Sequence, residues 1–121
     1  EKTEPQVLRE DHVVLKLLGE PPFERETSFI IDGNSNSKSL TIGECYVTPG
    51  NWAGFPPHKH DVDNMPTEGF LDEIYYFEFD KPQGFGFQAV YSKDGVNQII
   101  TNAKKGDQFT LLDNQFQVVN I

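Results

Sequence analysis

"FLDEIYYFEFDKPQGFGFQAVYSKDG", residues 70–95, decides the fold class. Its opening run and the later "FGFQAVYS" (85–92) are rich in aromatic and β-branched residues, which suit a pleated, half-buried strand. "KPQG" turns the chain between them, and Lys93-Asp94-Gly95 is a hairpin signal. The same rhythm continues on both sides. "HVVLKLLG" (12–19) is a strand or a short helical turn, too brief for periodicity to decide. "TSFIID" reads as a strand, "DGNSNSKS" (32–39) as a wide polar turn, and "LTIGECYVTP" (40–49) as a strand stopped at Pro49-Gly50. After residue 95, "VNQIITNA", "QFTLL" and "QFQVVNI" are strands punctuated by "KKGD" and "DN". Six or more short strands without a long helical pattern predict an all-β sandwich or barrel.

With 121 residues the chain has room for one domain, 1–121, in which 1–11 form a loose polar lead-in. Hydrophobic residues make up 36 %, but ten phenylalanines predict a folded domain with an aromatic core. A net charge of -9 repels a phosphate backbone, so no nucleic-acid partner is expected. A single cysteine, Cys45, forms no internal disulfide and fits a reducing, cytoplasmic setting. No apolar run approaches the roughly 18 residues that span a membrane as a helix, so no membrane partner is expected either. The first residue is not methionine, which is consistent with a trimmed chain.

Chemistry concentrates in "GNWAGFPPHKHD", residues 50–61, which holds two of the three histidines. Pro56-Pro57 favours extended backbone, and in a strand His58 and His60 share a face while Lys59 takes the other. Two imidazoles at that spacing can reach one metal ion, although the same pattern also suits a solvated surface strand. Further on, Glu73 shares a face with Tyr75 and Phe77, opposite Ile74, Tyr76 and Glu78. An adjacent antiparallel strand could therefore bring Glu73 to the histidines; otherwise it is a surface carboxylate. In "QGFGFQAVY" one stripe is Gly84, Gly86, Gln88 and Val90, read as room for a ligand with Gln88 as its hydrogen-bonding group. Phe85, Phe87, Ala89 and Tyr91 form the other, expected to pack on a second layer. The glycines have an equally local reading, as a bulge or a strand crossing.

"PGNWAGFPPHKHD", "LDEIYYFEF", "PQGFGFQAVYSKDG" and "KKGD" resemble the 5-deoxy-glucuronate isomerase family of bacterial inositol catabolism, a branch of the cupins. The likeness is dense over about residues 40 to 95 and thin elsewhere. It implies a cupin-type antiparallel jelly-roll β-barrel. It implies a divalent transition metal (zinc, manganese, iron or nickel) on His58, His60, Glu73 and one later histidine. The place of that histidine falls at Phe116, or at Gln117 by the broader cupin spacing, and neither can replace it well. The resemblance covers about one of the family's two cupin halves, implying a fragment or a divergent single-cupin relative. The implied reaction is a metal-dependent aldose–ketose isomerisation of a sugar acid, with Tyr75 or a carboxylate that the sequence does not place as the candidates for moving the proton, and Gln88 and Gly86 binding substrate. With the fourth ligand lost, the metal is expected to be weakly bound or absent and the turnover low. The alternative is a non-catalytic cupin that binds a small sugar or acid, or a barrel serving only as a scaffold. A short barrel would leave an edge uncovered, so a homodimer is expected.

Overall fold

The computed structural model describes residues 4–32, 35, 37–92, 94, 98–111 and 116–120; of Leu111 and 116–120 it describes the backbone only. The chain divides into two compact units, Glu1–Ala53 and Gly54–Ile121. Both are β, and the described helical structure is one 3-10 turn, Glu10–His12. The lead-in therefore ends in a turn, closed by the His12 and Val13 amides donating to the Arg9 and Glu10 carbonyls. No helix among the described residues is long and apolar enough to cross a membrane.

The N-terminal unit is a meander. Strands β1 (Val14–Leu18), β2 (Arg25–Ile31) and β3 (Ile42–Val47) pair antiparallel in chain order. The ambiguous run at 12–19 is thus strand, with Val14 opposite Phe29 and Leu18 opposite Arg25. β2 begins earlier than "TSFIID", because Arg25 and Glu26 pair with both neighbours. Gly19 opens the β1–β2 turn at φ +78°, and a Cβ there would lie 2.4 Å from the Phe23 carbonyl oxygen. That position requires glycine. The polar turn expected over 32–39 lies partly outside the described residues; in its described part the Ser37 hydroxyl donates to the Leu40 carbonyl.

The C-terminal unit carries two sheets. β4 (Ala53–His58), β6 (Phe85–Ser92), β7 (Gln98–Lys104) and β9 (Phe116–Asn120) form one in the order β4-β9-β6-β7. β5 (Glu73–Tyr76) and β8 (Gln108–Leu111) form the other. β6 runs antiparallel to both neighbours, with Gly86 opposite Ala103 and Gln88 opposite Thr101 on one side and Asn120 on the other. The hairpin expected at Lys93-Asp94-Gly95 joins β6 to β7, though of these residues only Asp94 is described. "KKGD" is the β7–β8 turn, with Gly106 at φ +84° and the Lys104 amide donating to Asp107 Oδ2.

Burial alternates cleanly along β6: Gly86, Gln88 and Val90 are buried, whereas Phe85 and Phe87 are 61 % and 41 % exposed. In the stripe expected to pack on a second layer, Ala89 and Tyr91 are half-buried but Phe85 and Phe87 are exposed, their rings meeting edge to face at 5.7 Å. The expected aromatic core is also different in kind. The buried apolar side chains among the described residues are Ala53, Val90 and Ala103. The aromatics gather half-buried around Phe77, which packs edge-on against Phe109 at 5.6 Å and stacks on Phe79. Gly84 leaves no room for a ligand either, because a Cβ there would sit 2.6 Å from Cβ of Phe79.

Candidate metal centre

β4 ends at His58, and the chain leaves the sheet before His60. Pro56 and Pro57 occupy the last part of the strand, where their fixed φ suits extended backbone. His60 is held from two sides: the Leu71 amide donates to its carbonyl, and its Nδ1 lies 3.3 Å from the Gly69 carbonyl oxygen. A carbonyl accepts only, so that contact favours the proton on Nδ1 and leaves the Nε2 lone pair to bind a cation. Nothing in the sequence signalled Gly69, since a carbonyl has no residue-type signature.

Glu73 opens β5, and the alternation read from the sequence holds there. Glu73, Tyr75 and Phe77 are half-buried, while Ile74, Tyr76 and Glu78 are exposed. Glu73 does not reach the histidines from an adjacent strand, as parity suggested. β5 pairs with β8, so the carboxylate comes from the other sheet and crosses to the end of β4. Its Oε1 lies 3.3 Å from His58 Nε2 and 3.4 Å from His60 Nε2. One ligand atom from each of the three residues falls within a 4.8 Å group. The imidazoles meet edge to face, with centroids 5.5 Å apart.

Tyr75 completes the cluster. Its hydroxyl donates to Glu73 Oε2 at 3.1 Å and lies 3.3 Å from His58 Nε2. The two carboxylate oxygens are thereby divided, one held by the phenol and one facing both imidazoles. Burial pushes the Glu73 carboxyl up, but the hydrogen bond to His58, the charges of His58 and His60, and the Tyr75 hydroxyl together outweigh it and hold the group below its ordinary value.

The donor set suits a transition metal. Bonds of about 2.0–2.2 Å in tetrahedral geometry separate neighbouring donor atoms by about 3.4 Å, close to the spacing seen about Glu73 Oε1. Lys59 and His60 follow the end of β4, so the strand alternation read for 58–60 does not extend to them; the Lys59 ammonium pairs with Asp61 and lies 3.7 Å from Glu68. Gln88 and Gly86 are buried on β6, and no described hydrogen bond joins them to the cluster. The side chains of Phe116 and Gln117, where a fourth ligand was sought, lie outside the described residues.

Residues 1–118 match the sequence model of the KduI/IolB family. Over 63 residues the chain is 54 % identical to the 5-deoxy-glucuronate isomerase of Bacillus velezensis, covering 52 % of this chain and 23 % of that protein. Over 95 residues it is 36 % identical to the 5-deoxy-glucuronate isomerase of Geobacillus kaustophilus, covering 78 % and 34 %. The crystal structure of an IolB-like protein from Salmonella typhimurium LT2 superposes with a TM-score of 0.89 at 26 % identity, over 98 % of this chain and 45 % of that one. The chain thus spans less than half the length of each of these proteins.

Proposed function

Because the chain belongs to the KduI/IolB family, we propose that it acts on 5-deoxy-glucuronate or a close sugar acid as an aldose–ketose isomerase. One observation carries the reading: two imidazole nitrogens meet one carboxylate oxygen at 3.3 and 3.4 Å in a chain whose relatives are named 5-deoxy-glucuronate isomerases. The fold we assign is a cupin-type antiparallel jelly roll. His58, His60 and Glu73 would hold a divalent transition metal, zinc, manganese, iron or nickel. When bound, such an ion supplies Lewis-acid stabilisation of negative charge on the substrate oxygens.

The chain's own residues do the rest. Glu73 Oε1 faces both imidazoles, so the carboxylate would serve as a ligand and is a poor candidate for the base. Tyr75 keeps a phenolic proton beside the cluster, and moving that proton at its hydroxyl oxygen is the catalytic role we assign to it. Its bond to Glu73 Oε2 also fixes the carboxylate rotamer, which keeps Oε1 aimed at the histidines. Gly86 and Gln88 are assigned to substrate binding. A cytoplasmic homodimer completes the reading, consistent with a lone cysteine and a partly uncovered sheet edge at β7.

Phe116 and Gln117 favour a second reading, a cupin that binds a small sugar or acid without turning it over. Protein purified without chelator or histidine tag separates the two, with metal content measured by mass spectrometry and conversion of 5-deoxy-glucuronate followed by NMR. The expected result is weak metal binding and turnover well below about 1 per second, the low end for ordinary enzymes. Phe116→His or Gln117→His, made singly, should tighten metal binding if either position is the lost ligand. Sugar-acid binding with neither metal nor turnover would establish the second reading. Brisk turnover by the unaltered chain would show that another residue serves as the fourth ligand.

A further inference from the structure

Gln88 stands at the middle of β6 with 0 % exposure, and neither its Oε1 nor its Nε2 has a hydrogen-bond partner among the described residues. It is the fully buried polar side chain among the described residues. Its neighbours on the buried stripe, Gly86 and Val90, are apolar, and Gly86 faces Ala103 across the ladder. An amide removed from water and given no partner destabilises a fold, and methionine or leucine would fill similar space without that penalty. Folded proteins that break this rule commonly do so where a ligand uses the group.

The chemistry of the amide narrows what it can bind. It presents an acceptor oxygen and two N–H donors on one uncharged plane. A hydroxyl both donates and accepts, so it can satisfy either edge. A carboxylate only accepts, and its charge would be set against the amide oxygen. Position adds a second limit: β4, which carries His58, lies two strands from β6 across β9, a lateral step of about 10 Å. We infer that Gln88 reads a hydroxyl of a polyhydroxylated ligand, at the end of that ligand remote from the His58–His60–Glu73 cluster. The inference rests on the sugar-acid reading only for which ligand is bound.

Gln88→Met and Gln88→Leu test it in the full chain. Three quantities are measured: melting temperature without ligand, metal content, and 5-deoxy-glucuronate affinity by calorimetry. The expected result is a melting temperature equal to or a few degrees above that of the unaltered protein, unchanged metal content, and affinity reduced about tenfold. Unaltered affinity in either variant overturns the inference. So does a lowered melting temperature in both, which would mean that the amide is satisfied inside the fold by water. If the unaltered chain holds metal but does not bind 5-deoxy-glucuronate, the isomerase reading falls, and the same titrations are made with D-glucose and glycerol. Binding of either that depends on Gln88 supports the inference, and binding of neither overturns it.

Discussion

In residues 1–53 each described strand pairs with the next strand in the chain, whereas in residues 54–121 three of the four ladders among the described strands join strands that are not consecutive, the β6–β7 hairpin being the exception. β1, β2 and β3 close their ladders through short connections at little entropic cost. Glu73, by contrast, pairs opposite Leu111, and Gln88 opposite Asn120. Such ladders must close long loops before any contact rewards them. What that cost makes possible is convergence. Every described member of the His58, His60, Glu73 and Tyr75 cluster belongs to the C-terminal unit.

The strongest way to break this comparison is at Glu73, the group that crosses between sheets. Glu73→Ala should weaken metal affinity by at least about 100-fold, measured by competition with a fluorescent chelator. A smaller loss would mean that the histidines bind alone and that the crossing carboxylate is incidental. Tyr75→Phe comes next. Turnover at saturating metal should fall about 100-fold while metal affinity falls only about tenfold. Unchanged turnover at saturating metal would reduce Tyr75 to a positioning residue for Glu73.

The smallest expected effect on the site comes from the meander. Gly19→Ala places a Cβ against the Phe23 carbonyl at a φ that costs other residues about 1–2 kcal/mol. Calorimetry should show the melting temperature lowered by about 5 °C or more, with metal affinity unchanged. A parallel loss of metal affinity would show that the meander and the cluster are energetically coupled.

Much of the fold is legible in the residues alone. The β class follows from short runs separated by Gly, Pro and Asp turns, and "FGFQAVYS" coincides with β6 from end to end. The side-chain parity of β5 is also readable, because alternation is a local property of an extended backbone. Local rules fail where the question is what lies across a gap. Phe85 and Phe87 look like a core stripe in sequence, yet the buried face of β6 is the one bearing Gly86, Gln88 and Val90. Parity gives two faces and does not say which one is covered.

Residue type and short spacing were enough for the β class, most of the strands, the turn at Gly106, the candidacy of His58, His60 and Glu73, and the resemblance that named a chemistry for them. Those features depend on residue type and short spacing, which backbone geometry converts directly into local structure. Tertiary contacts decide that Glu73 arrives from a second sheet, that the Gly69 carbonyl orients His60, and that Gln88 is buried without a partner among the described residues. Each of these depends on which segments meet in space, and side-chain spacing along the chain carries no information about that.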